Sequence, residues 1–151
     1  MITEINGDLI KLAKEGHFDV IIHGANCFCR MGSGIAKQVA AEIPSAVDAD
    51  NKTLPGDIRK LGNYTEAMVP GNYVCYILNC YTQFRYGTDQ IQFDYEAFTL
   101  CLRKINFRFK GKTIGLPLIG AGLAGGDWNE IKNIIKKELN AMDVIIVHFK
   151  E

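Results

Sequence analysis

The chain has 151 residues, 48% hydrophobic and 23% charged, with 17 Lys plus Arg against 17 Asp plus Glu. That length and composition read as one folded domain over residues 1–151 with a sizeable core; they exclude a disordered tail, a membrane span and a bulk basic field that would recruit nucleic acid. The five cysteines, Cys27, Cys29, Cys75, Cys80 and Cys101, are odd in number and lie mostly in apolar runs, which suits reduced thiols in a cytoplasmic, reducing compartment.

Taken in chain order, Met1–Ile5 is a weak strand candidate. Asp8 stands where an N-cap for a short helix over Leu9–Lys14 belongs. Asp19–His23 is an apolar, β-branched strand that Gly24 is expected to break. Ile35, Val39 and Ile43 recur at the spacing of one helix face. Tyr64–Val69 is a weak strand and Tyr73–Tyr81 a strong, nearly continuous one. Asp94 is placed to cap a helix carrying Phe98, Cys101, Leu102 and Ile105. Lys112–Leu116 ends as a strand at Pro117. Asp127 with Glu130 has the spacing of a capping box for a helix carrying Ile131, Ile134, Ile135 and Leu139. Val144–Val147 closes the series. Unalternating apolar strands between amphipathic helices predict a three-layer α/β fold with a mostly parallel central sheet.

In such folds ligands gather at the carboxyl ends of the strands, and two of those ends are rich in glycine. After the strand ending at His23 comes Gly24-Ala25-Asn26, then Gly32-Ser33-Gly34-Ile35 opening a helix. Glycines allow close backbone approach, and a helix start offers unpaired N–H groups for phosphate or ribose oxygens. The plain alternatives are Ser33 as an ordinary N-cap and Asn26 as a turn stabiliser. After Pro117 comes Gly120-Ala121-Gly122-Leu123-Ala124-Gly125-Gly126, a wide loop whose N–H groups can form an anion nest. It also spells a dinucleotide fingerprint. That fingerprint should open a βαβ unit with more sheet to follow, whereas only one helix and one strand remain. A dehydrogenase is therefore disfavoured. Cys27-x-Cys29 has neither the spacing nor the second pair of a zinc site, so no metal or cofactor is expected. The cluster Arg103, Lys104, Arg108, Lys110 and Lys112 reads as a solvated helix end.

These loops, in this order, resemble those of the macro domain family over nearly the full chain. Asn6-Gly7-Asp8-Leu9 resembles the family's Gly-Asp-Ile element. Asn26 falls where its Asn follows a strand, Met31-Gly32-Ser33-Gly34-Ile35-Ala36 is similar to its first ligand loop, and Ile119 to Gly126 is similar to its phosphate loop. His23-Gly24-Ala25-Asn26-Cys27 and Gly125-Gly126-Asp127-Trp128 are similar to the branch of small stand-alone members. That branch includes ADP-ribose-1″-phosphate phosphatases and terminal ADP-ribose glycohydrolases.

The resemblance implies a mixed, mostly parallel sheet flanked by helices, and ADP-ribose or ADP-ribose-1″-phosphate as ligand, free or on a modified macromolecule. It implies that Asp8 with Leu9 holds adenine, that Gly32, Ser33, Gly34 and Ile35 hold the distal ribose and part of the diphosphate, and that Asn26 orients that ribose. It further implies that Gly120, Ala121, Gly122, Leu123, Ala124, Gly125 and Gly126 cradle the diphosphate. Members that work through a covalent lysine carry it after a Thr at the end of the central strand, with an Asp in the phosphate loop. This chain has Thr82-Gln83-Phe84 and Ala124 instead. A hydrolase would then use His23, Asn26 and Asp127 as its working polar groups, His23 for proton transfer near neutral pH and Asp127 to activate water. A histidine satisfied in the core and an N-cap are the competing readings of His23 and Asp127. A binding module without turnover is the competing reading of the whole.

Overall fold

Strands that read as continuous apolar runs need cover on both faces, and five helices supply it. The protein is described here by a computed structural model covering residues 2–87, 91–122 and 124–150. Within these residues the strands are β1 (Ile2–Gly7), β2 (Val20–Asn26), β3 (Tyr64–Met68), β4 (Tyr76–Gln83), β5 (Thr113–Leu116) and β6 (Asp143–Phe149). The helices are α1 (Leu9–Lys14), α2 (Gly34–Glu42), α3 (Pro44–Asn51), α4 (Tyr95–Arg108) and α5 (Trp128–Glu138). The strands form a single sheet in the order β1-β6-β5-β2-β4-β3. Every neighbouring pair is parallel except β3 with β4, so the sheet is mixed and mostly parallel, as the sequence implies.

Strand alternation sorts the apolar residues into two cores. Val20, Ile22, Leu78, Cys80 and Leu116 pack with Phe98, Leu102 and Ile105 of α4 and Ile131 and Ile135 of α5. Ile21, Ile77 and Val147 pack with Leu9 and Ile10 of α1, Val39 of α2 and Ala46 of α3. Each large side chain so buried contributes about 1.5–3 kcal/mol, which makes these layers the rigid support for the loops above them.

Three boundaries differ from the sequence reading. β2 continues through Gly24 to Asn26, because Gly24 and Ala25 still pair with Cys80 and Tyr81 of β4. β4 starts only at Tyr76; Tyr73 and Val74 before it are exposed. The helix expected to run through Ile43 stops at Glu42, and Ile43 sits at φ −131°, ψ 73°. Pro44 drives that residue out of the helical region and then serves as the first residue of α3, a helix whose small and polar residues gave no periodic signal.

The caps follow their residues. Asp94 accepts from Ala97 N at 2.9 Å. Asp127 accepts from Asn129 N at 2.9 Å, but its own N–H donates to Tyr95 Oη at 2.8 Å. The reciprocal half of the expected capping box, from Glu130, is thus replaced by a tyrosine of α4. All five cysteines are free thiols, four of them buried. No helix among the described residues is long and apolar enough to cross a membrane.

Candidate ligand-binding site

The carboxyl ends of β2, β4, β5 and β6 open on a cavity of about 820 Å³ between the two glycine loops. That is the size range of nucleotide- and drug-sized ligands.

The first wall begins where β2 ends in a bulge between Ala25 and Asn26. Asn26 Oδ1 accepts from Phe28 N at 2.9 Å, and Asn26 Nδ2 donates to Arg30 O at 2.8 Å. The side chain therefore closes its own loop, and one Nδ2 hydrogen is left over. Cys29 takes a left-handed φ of 58° there and donates its thiol to Asp50 O at 3.3 Å, which ties the loop to the end of α3. Gly32, Ser33 and Gly34 follow, all exposed along the cavity. Gly34 has φ 59°, a conformation other residues resist. Ser33 is extended and its hydroxyl makes no capping bond, so the first N–H groups of α2 stay open at the cavity wall. Ile35, Ala36 and Gln38 continue that wall.

The second wall is a tight curl. Gly126 N donates to Gly120 O at 2.7 Å, Gly125 N to Gly122 O at 3.1 Å, and Ala121 N to Leu118 O at 3.3 Å. Gln92 N and Phe93 N both donate to Ala124 O, at 2.9 and 3.2 Å. Gly120 has φ 76°, and a Cβ there would lie 2.4 Å from the Phe93 ring. The expectation of a nest from Gly120 to Gly126 is narrowed accordingly, since Ala121, Gly125 and Gly126 use their N–H groups inside the loop. Gly120, Gly122 and Ala124 line the cavity, and no acceptor among the described residues takes their N–H groups. Leu123 lies outside the described residues.

Asp8 and Leu9 sit behind the far end. Asp8 Oδ1 accepts from Ile10 N at 3.1 Å and Lys11 N at 3.2 Å, capping α1. Gln38 Nε2 also reaches the Asp8 carboxylate, at 3.3 Å. Leu9 is buried in the core. It is Gln38, Val147 and Phe149 that line the cavity here.

His23 is not brought to the cavity. Its side chain is 1% exposed, and it starts a directional chain of hydrogen bonds on the α1–α3 side of the sheet. Asn79 Nδ2 donates to Ala46 O and Thr65 Oγ1, both at 3.0 Å, so its Oδ1 is the acceptor for His23 Nε2 at 2.7 Å. Tyr81 Oη donates to Asp50 Oδ1 at 2.7 Å, which leaves Thr65 Oγ1 donating to Tyr81 Oη at 3.0 Å. Every donor thus points from His23 toward the buried Asp50. Burial holds the imidazole below the usual histidine range, against the opposing pull of the Asn79 bond; it is neutral, with the proton on Nε2. Asp127, occupied as a cap, does not line the cavity either.

The residues that sequence reasoning missed lie on other strand ends and on the loop rims. Thr82 and Gln83 end β4, Phe149 ends β6, and Arg30 and Tyr86 stand at the mouth with the guanidinium 5.4 Å from the ring centroid. The carboxyl-end rule itself points to Thr82 and Phe149. Where a lysine would stand, Gln83 Nε2 donates to Arg85 O at 2.8 Å. Among the described residues the titratable side chains lining the cavity are Arg30 and Tyr86. The nearby Cys27 thiol is pushed up to about 11 by burial and is no nucleophile at neutral pH. The arrangement offers backbone donors for an anion, amide and hydroxyl groups for a sugar, and apolar surface for a base.

The macro domain family profile matches residues 22–135. A 17.5 kDa protein from the tk-vs intergenic region of Enterobacteria phage T4 is 35% identical, over 99% of this chain and 97% of its own length. The macrodomain of Mycobacterium tuberculosis DarG superposes with a TM-score of 0.76 at 20% identity, over 97% of each chain. Thermosipho africanus DarTG in complex with ADP-ribose gives 0.74 at 17% identity, over 97% of this chain and 41% of that one. The chain belongs to the macro domain family.

Proposed function

We propose that this chain, as a single macro domain, binds ADP-ribose in the cleft between the two glycine loops. The observation that carries the reading is the pair of backbone walls: the open first turn of α2 and the loop residues Gly120, Gly122 and Ala124 line one cavity of about 820 Å³. Backbone N–H groups suit a diphosphate, whose charge is spread over several oxygens. Adenine lies at the Phe149 end, with Asp8 accepting from its exocyclic amine through the oxygen less engaged in capping. The distal ribose lies toward Asn26 and Gln83. The exposed Arg30 and Tyr86 leave an exit for a group attached to that ribose, so ADP-ribose on a macromolecule is admitted too. Support comes from structures that share this fold and were solved in complex with ADP-ribose, Thermosipho africanus DarTG and a Trypanosoma brucei macrodomain. Calorimetry tests it: ADP-ribose binds more tightly than AMP or NAD. Equal affinity for AMP overturns the placement of the distal ribose.

A second reading, hydrolysis at the distal ribose 1″ carbon, is favoured by the convergence of Asn26 and Gln83. They are register partners at the ends of β2 and β4 and share one end of the cavity. Water would attack C1″, the C1″–O bond to a phosphate or acyl carrier, or the C1″–N bond to a base-linked one, would break, and that carrier would leave with the bonding electrons. With no carboxylate or imidazole described on that wall, the water's proton would pass to a phosphate oxygen of the substrate. Asn26 would orient the ribose, while His23 and Asp127 would act through the fold alone. Phosphate release from ADP-ribose-1″-phosphate and loss of ADP-ribose from a modified protein are the two assays. No turnover in either reduces the protein to a binding module.

A further inference from the structure

The cleft has one polar side chain buried on its floor without a partner. Thr82 is 1% exposed, and its Oγ1 is within hydrogen-bonding reach of no protein group. It ends the face of β4 that Leu78 and Cys80 bury against α4, a place where valine would fit with the same shape and without a stranded hydroxyl. The strand end is held in place from outside, because Thr82 O accepts from Asp94 N at 2.7 Å. Across from it stands Gly24, where a Cβ would lie 2.9 Å from Thr82 Oγ1 and 3.4 Å from Ile119 Cγ1. Thr82, Gly24 and Ile119 all belong to the cavity wall. Gly24 therefore packs closely against Thr82 and Ile119, and any Cβ there would press on the hydroxyl. A hydroxyl can give one hydrogen bond and accept two, and the cavity is the side from which a partner can reach it.

We propose that Thr82 Oγ1 is a positioning group that pairs with one O–H brought to the cavity wall beside Gly24 when the cleft is filled. It rests on the ADP-ribose reading above. The O–H is either a hydroxyl of the distal ribose or the water that attacks it; both share the chemistry of a small donor–acceptor, and glycine at position 24 keeps a Cβ off the hydroxyl. The other buried orphan among the described residues, His23 Nδ1, lies on the opposite side of the sheet and does not line this cavity, which is why the inference is confined to Thr82.

The test uses Thr82→Val, with Thr82→Ser as rescue and Gly24→Ala as a steric plug that keeps the hydroxyl. In the ligand-free protein Thr82→Val raises the melting temperature by about 2–4 °C, as expected when a buried unpaired hydroxyl is removed. It also weakens ADP-ribose about tenfold while leaving ADP unchanged if the partner is a ribose hydroxyl. If the partner is the attacking water, it leaves affinity unchanged and lowers kcat about tenfold with KM constant. Thr82→Ser restores the lost quantity in either case, and Gly24→Ala reproduces the loss. Unchanged affinity together with unchanged or absent turnover in Thr82→Val overturns the inference, as does a fall in melting temperature that tracks the loss of binding. Failure of the unaltered protein to bind ADP-ribose overturns the reading under Proposed function and this one with it; binding by the unaltered protein with no effect of Thr82→Val overturns this one alone.

Discussion

β2 and β4 carry polar side chains on both faces at the same end, and the two faces use them in opposite ways. On the α1–α3 side, His23, Asn79, Thr65, Tyr81 and Asp50 hydrogen-bond to one another in a buried chain that leaves His23 Nδ1 over. On the other side, Thr82 and the glycine loops leave donors and acceptors unmatched around a cavity. Such groups are costly when buried unless a partner arrives. The difference teaches that the residue type does not distinguish support from recognition. A histidine at a strand end beside a ligand loop is chemically suited to proton transfer, yet one step of the strand's alternation puts it on the side where all available partners are protein.

The largest effect expected on the open side comes from Gly122→Glu. A Cβ at Gly122 meets nothing within 4 Å, so the fold survives while the carboxylate occupies and repels the diphosphate position. Calorimetry shows a loss of ADP-ribose affinity of more than about 100-fold; a folded variant that binds normally breaks the assignment of this wall. The counterpart on the closed side is Asn79→Leu. It removes the partner of His23 Nε2 and one hydrogen bond each from Thr65 Oγ1 and Ala46 O, and costs about 3 kcal/mol in urea unfolding, with affinity at saturation unchanged. A loss of affinity without a loss of stability would erase the distinction between the faces. Asp8→Asn, which caps α1 about as well, weakens ADP-ribose by roughly 1.5–3 kcal/mol and ribose 5-phosphate much less; equal losses leave Asp8 a cap only.

Acidity sharpens the comparison further. The folded His23 pKa is depressed by burial, so the unfolded chain binds the extra proton below its ordinary value of about 6.5. Stability is full above that value and falls as pH falls through it, by about 1 kcal/mol between pH 7.5 and 5.5. The paired carboxylates Glu4 and Glu66, held below their usual range by Lys132 and Arg108, act at lower pH. Persistence of the same drop in a His23→Gln variant would assign it elsewhere. The smallest effect is that of Asp127→Asn, within about 0.5 kcal/mol in stability and within about twofold in binding and turnover. A large loss of turnover there would return Asp127 to the chemistry.

Both ligand loops were legible because glycine density after a strand has few other uses, and the layers were legible because α4, α5 and the strands carry clean periods. The break at Ile43 was legible in principle from Pro44, though an apolar residue at the right spacing masked it. The role of His23 was lost by ending β2 three residues early, which put at the strand end, beside the loop, a residue that lies inside the strand. Gln38 reaches the cavity through tertiary approach, which no local pattern encodes, whereas Phe149 ends a strand and lay within reach of the carboxyl-end rule. Thr82 in a strand is ordinary by composition; beyond its place at a strand end, only its buried, unpartnered hydroxyl on the cavity wall distinguishes it.

The outer strand β1, from the first residues of the sequence, pairs with β6, from the last, Ile2 opposite Val144. During folding that pairing closes the longest loop the chain contains, so it carries the greatest entropic delay. Until β6 arrives, β5 presents an open edge and β1 has no neighbour to join. Val147 and Phe149, which finish the adenine end of the cavity, arrive with it. The ability to hold ligand is therefore expected as a late event in folding. In refolding followed by rapid mixing, the binding signal should lag the burial of Phe98 and Leu102, and early intermediates should be aggregation-prone along the uncovered β5 edge.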